Sequence, residues 1–162
     1  FGTAGTVFQL DTIGQGDDIK QRSGDTIRFH SLRFHLGAYE PTAGTSTVFR
    51  VIVFHDSMAN AAIPAVTDVL DSANFTAPYK GTNLQRNRFR VVHDRCHTLC
   101  NNTQNQEVTV LVDIPLKGQR FYNDTTNGTS GIGKNALFAL VIASGQATCV
   151  YQRQWGLRYT DS

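Results

Sequence analysis

The run Glu107–Leu116 places a β-branched residue at every second position: Val108, Val110, Val112 and Ile114. Strict period two of this kind is a strand with one face in a core and the other outside it, and it excludes a helix over the same residues. Thr26–Tyr39 carries the same period with a fault in it. Ile27 and Phe29 share one parity, whereas Leu32, Phe34 and Leu36 share the other. The apolar phase slips by one residue near Ser31, which predicts a β-bulge there. Thr47–Asp56 and Asn135–Ala143 are apolar on both parities, so they are expected in the middle of a sheet covered on both faces. Asn87–Thr98 has Phe89, Val91 and His93 on one parity and Arg86, Arg88, Arg90 and Asp94 on the other, a strand lined with guanidinium on one side.

Shorter strands are expected at Val7–Leu10 and Phe121-Tyr122, and a last one at Thr148–Tyr159, where Cys149, Tyr151, Arg153, Trp155, Leu157 and Tyr159 alternate. Between the two similar strands Thr47–Asp56 and Asn87–Thr98, the stretch Pro64–Asp71 has Val66, Val69 and Leu70 at helical spacing behind a proline. About eight strands, one short helix and long connections in place of two-residue hairpins predict an all-β fold. The expectation is an eight-stranded jelly-roll sandwich with one short helical insertion. Residues 1–25 read as an N-terminal arm remnant with the first short strand, and 26–162 as a single jelly-roll domain. A further N-terminal segment is expected ahead of Phe1.

At 162 residues, 40% hydrophobic and 17% charged, the chain belongs with folded domains, not disordered ones. A formal charge of +2 is too mild to argue nucleic-acid binding by itself. No apolar run approaches the length needed to cross a membrane, and none reads as a signal peptide. Three cysteines, Cys96, Cys100 and Cys149, do not suggest a disulfide framework.

The spacing His93-x-x-Cys96-His97-x-x-Cys100 suggests zinc, but on a strand the histidines face away from the cysteines and four ligands cannot converge. Asp56, Asp94 and Asp113 sit near expected strand ends, which leaves structural calcium as a possible cofactor. No nucleophile elbow, metalloprotease helix or phosphate-cradling loop is present, so no catalytic residues are assigned. The basic residues Lys20, Arg22, Arg28, Arg86, Arg88 and Arg90 fall in two segments with no acid interleaved between them on the same strand parity. Such a face suits phosphate, and the absence of interleaved aromatics argues against base reading. Lys20, Arg22, Arg86 and Arg88 are the expected nucleic-acid-binding residues.

Phe49–Asp56, Ile63–Ser72 and Arg88–Arg95, followed by Asp113–Leu116 and Asn135–Leu140, resemble the single jelly-roll capsid proteins of small icosahedral viruses. Among these the chain resembles the satellite tobacco necrosis virus-like coat proteins and related capsid proteins of circular single-stranded DNA viruses. The resemblance implies self-assembly into a small icosahedral shell inside the host cell, a place in the virion, and packaging of a genome. It also implies an Arg/Lys-rich N-terminal arm. Single-stranded DNA is favoured over RNA as the partner. The competing expectation is a binding module, either a trimeric jelly-roll ligand or a carbohydrate-binding sandwich. The shared parity of Tyr151, Trp155 and Tyr159 would supply the carbohydrate platform.

Overall fold

The computed structural model describes residues 2–18, 21–39, 45–58, 61–81, 87–101, 107–125, 129–145 and 150–161. They form an all-β jelly-roll sandwich. Its strands are β1 (Thr6–Gln9), β2 (Thr26–Tyr39), β3 (Thr45–Asp56), β4 (Phe89–Asn101), β5 (Glu107–Pro115), β6 (Gln119–Phe121), β7 (Ala136–Ala143) and β8 (Val150–Asp161). A single helical turn, α1 (Val66–Val69), lies between β3 and β4. It is shorter than the Pro64–Asp71 pattern suggests. Asp68 closes it by accepting a hydrogen bond from the Ala65 N–H at 2.9 Å.

One sheet has the order β1-β7-β3-β4, all antiparallel. In the other, β2 is central: β8 pairs along one edge, while β5 and β6 pair with successive stretches of β2. A strand has only two edges, so β5 and β6 occupy one lane, broken at Leu116–Gly118. Gly118 turns the break with φ 129°, a conformation that favours glycine.

Side chains from both sheets close the core between them. Ile27, Phe29, Leu32, Phe34 and Leu36 of β2 meet Phe49, Val51 and Val53 of β3 and Leu137, Ala139 and Val141 of β7. The alternation on β2 survives its phase slip because the register with β8 jumps between Phe29 and Ser31, the bulge expected there. Phe8 and Leu10 also enter this core, and β1 pairs with β7, so the residues around β1 are built into the sandwich.

A second apolar cluster lies on the far side of the β3–β7 sheet. Ile52, Phe54, Phe138, Leu140 and Ile142 are covered there by Val69, Leu70 and Ala77. This roof explains why β3 and β7 are apolar on both parities. Arg50 fastens it by donating to the carbonyls of Phe75 and Ala77 at 3.1 and 2.8 Å.

β4 departs from the sequence reading. Val53 pairs with His93 but Phe54 pairs with Val91, which leaves Val92 as an extra residue. The bulge reverses the parity, so Phe89 and Val91 pack under the outer roof while Val92 packs in the inner core and His93 lies across from Val53. Phe89, Val91 and His93 therefore do not share a face. Two adjacent valines satisfy both apolar clusters at once, and that is what permits the crossover.

The aromatic residues of β8 turn inward. Tyr151, Trp155 and Tyr159 pair with Ala38, Phe34 and Phe29 and pack against the inner core. Trp155 donates Nε1–H to the Leu10 carbonyl at 2.8 Å. They offer no exposed platform for a sugar ring.

Candidate nucleic-acid interface

The expected phosphate-binding cations have different fates. Lys20 and Arg86 lie outside the described residues. Arg22 is fully buried. Its guanidinium lies 4.0 Å from the centroid of the Tyr122 ring, with Arg120 at 4.2 Å from the same centroid. It donates to the carbonyls of Gly24 and Asp124 and lies 3.3 Å from Asp25. Enclosed in this way it holds the loops before β2 and after β6 together, and it presents no charge outward. No local pattern signals this enclosure, because an arginine in a turn is ordinarily solvated.

Arg120 is equally buried, with Nε 2.8 Å from Asp11 Oδ2 but without the alignment of a hydrogen bond. Asp11 accepts instead from the Leu137 N–H and the Gln9 amide, both at 2.8 Å.

Arg88 is half-buried and doubly bonded to Asp56 at 2.8 and 2.6 Å. The acid comes from the neighbouring strand, β3, which the parity of β4 alone does not show. Arg50 and Asp94 form the same fork at 2.8 and 2.6 Å, and Tyr79 donates its hydroxyl to Asp94. Arg33 and Asp113 form a third fork, on the surface. All three aspartates considered for calcium are therefore bound bidentately by arginine, and Asp94 lies within β4 instead of at its end. A cation at any of them would first have to displace a guanidinium. Among the described residues no group of three or more metal-ligating side chains converges.

Arg88 nevertheless forms one wall of a cleft of about 210 Å³ at one end of the sandwich. Five elements build it: β2 supplies Phe29, the end of β3 supplies His55 and Ser57, and the approach to β4 and its start supply Asn87, Arg88 and Arg90. The break between β5 and β6 adds Lys117 and Gln119, and Asn135 comes from the residue before β7. Among the described residues no aspartate or glutamate lines it. Asn135 holds a left-handed conformation, φ 62°, and ties two of these elements together. Its side chain donates to the Gln119 carbonyl at 2.8 Å, and its own carbonyl lies 3.2 Å from His55 Nδ1. Burial pushes the His55 pKa down, the Asn135 carbonyl opposes this, and Arg90 and Arg120 push it further down. The imidazole is therefore neutral near pH 7.

Arg90 and Lys117 are exposed, with no ion pair to any described residue. Gln119 pairs in register with Arg28, another exposed cation, just outside the cleft. Cations and amide donors without a competing carboxylate suit an oxyanion. Of this group the sequence marked Arg88, with Arg28 and Arg90 in the wider basic set. His55, Lys117 and Asn135 were missed, because their convergence depends on topology and follows no local period.

A two-sheet β-sandwich that carries a small cationic cleft at one end has the build of a structural protein. The chain matches the family model of the satellite tobacco necrosis virus coat protein over residues 1–162, and it belongs to that family. It is 35% identical over 162 residues to the capsid protein of Satellite tobacco necrosis virus 1, covering 99% of this chain and 80% of that one. It is 30% identical over 164 residues to the coat protein of Maize white line mosaic Satellite virus, covering 99% and 75%. With the coat protein of Satellite tobacco necrosis virus 2 the identity is 35% over 163 residues, covering 98% and 79%. The protein is thus a non-enzymatic viral coat protein of the virion. The comparisons give no support to the kinship with circular single-stranded DNA viruses or to a preference for DNA.

Proposed function

We propose that the chain self-assembles into a small icosahedral shell around a nucleic-acid genome, and that the cleft at the end of the sandwich meets the genome's phosphates. The observation that carries the second part is the cleft's composition: Arg90 and Lys117, unpaired by any described residue, converge there beside the Asp56-bound Arg88, with no carboxylate among the described lining residues. Phosphate contacts of this kind are insensitive to base sequence and weaken steeply with salt. Lys20 and Arg86 lie outside the described residues and join this reading on their sequence alone, and a basic N-terminal arm would carry the larger share. Arg22 is not included, because its guanidinium is enclosed.

Purified protein tests both parts. Negative-stain microscopy and sedimentation should show a megadalton shell, with nuclease-sensitive absorbance at 260 nm. A stable monomer or lone trimer would overturn the assembly reading. The double variant R90Q/K117Q should assemble but retain less nucleic acid. The salt slope of binding to single-stranded RNA or DNA should flatten by about one to two. Equal retention and an unchanged slope would remove the cleft from the packaging surface. Parallel titrations with RNA and DNA decide whether single-stranded DNA is preferred.

A further inference from the structure

Three basic residues stand in a row on β4, on the face turned toward the sandwich core. His93, Arg95 and His97 pair with Val53, Val51 and Phe49 of β3, all three of which lie in the inner core. Among the described residues β4 is the outermost strand of its sheet, with β3 as its one pairing partner. Along this margin the core is incompletely closed, so both histidines are half-buried and Arg95 emerges into solvent. The His97 ring stacks on Phe49 at 5.3 Å, with 27° between the planes. Nε2 of each histidine is shut off from solvent and has no hydrogen-bond partner.

We propose that His93, Arg95 and His97 make β4 an acid-labile edge of the sandwich: protonation places three cations on one face of the strand and detaches it, while the β2, β3 and β7 core stays folded. This inference does not depend on the packaging reading.

The environment offers the added charge almost no compensation. β3 presents Phe49, Val51 and Val53, and β5, the strand of the other sheet that touches β4, turns Val108, Val110 and Val112 inward. The acids of β5 face the opposite side: Asp113 is bound to Arg33, and Glu107 lies over Gly37. Asp94, the one acid that favours protonated His93, is held by Arg50 and Tyr79 on the other face of β4. Burial, His97 and Arg95 all lower the pKa of His93, and burial and Arg95 lower that of His97. A histidine depressed in the folded state takes its proton more readily once released. The strand therefore loses stability as pH falls below the ordinary histidine value of about 6.5. An edge strand with one partner can open locally without global unfolding.

Hydrogen exchange on the full chain, in the state in which it purifies, tests this at pH 7.5 and 5.0 after correction for intrinsic rates. Peptides within 89–101 should exchange at least tenfold faster at pH 5.0, while those within 136–143 change little. H93Q/H97Q should abolish the difference, and H30Q, on the outer face of the other sheet, should preserve it. R95Q should move the onset to lower pH. The proposal is overturned by unaccelerated β4 peptides, by equal acceleration of β4 and β7, or by acid opening in the double glutamine variant. If that variant does not fold, an unchanged onset in R95Q overturns it as well.

Discussion

The two sheets of this coat protein have very different outer faces. Behind β3 and β7, α1 and the segment that follows it form a roof over a second apolar cluster, so both strands are buried on both sides. Behind β2, β5 and β8 there is no such cover among the described residues. Arg28, Arg33, Leu111, Gln152, Gln154 and Arg158 stand exposed there among the shallow depressions of that face. One face is interior and the other is available to solvent or a partner. The difference follows from patterning. A strand with Ile52 and Phe54 on one parity and Val51 and Val53 on the other has to be covered twice, whereas a strand reading Arg-Phe-His-Leu over Arg33–Leu36 needs a single cover.

The contrast should be largest in a pair of truncations. Phe54 is fully buried under the roof, stacked on Phe138 at 5.7 Å and edge-on to Phe89 at 5.3 Å. F54A should cost about 3–5 kcal/mol in urea unfolding. L111A, at a side chain 61% exposed on the bare face, should change stability by no more than about 0.5 kcal/mol. Comparable losses would mean that the bare face is covered, for example by a second copy of the chain.

This difference in burial also marks what could be read in advance. The strand positions were legible because β-branched and aromatic residues at period two leave little else to fold. The bulge of β2 was legible because Phe29 and Leu32 sit on opposite parities with polar residues between them. The bulge of β4 was not, since Val91 and Val92 are both apolar and hide the residue at which the phase changes. The forks of Arg50, Arg88 and Arg33 were also hidden. Each joins residues 32 or more positions apart, brought together only by strand register. For the same reason the cleft, drawn from five elements, had no local signature beyond a few of its cations.

The forks offer a finer comparison of roof and bare face. Arg50 holds the roof through two carbonyls and Asp94, so R50Q should cost about 2 kcal/mol, since hydrogen bonds from a charged donor are among the stronger ones. Arg33 and Asp113 are bonded in the same bidentate manner but fully in solvent, where side-chain entropy and screening cancel most of the attraction. R33Q should leave the urea midpoint unchanged within error. The dependence on acid separates the two pairs further. Burial pushes Asp94 up, but the hydrogen bonds from Arg50 and Tyr79 outweigh it and hold the carboxyl below its usual value. A depressed carboxyl contributes stability above its unfolded value, near 3.9, and loses that contribution as pH falls through the folded value. Unfolding of wild type and R50Q should therefore differ at pH 7 and converge between about pH 4 and 2, a range below the histidine window of β4. A gap between them that persists to pH 2 would show that Arg50 acts through the Phe75 and Ala77 carbonyls alone.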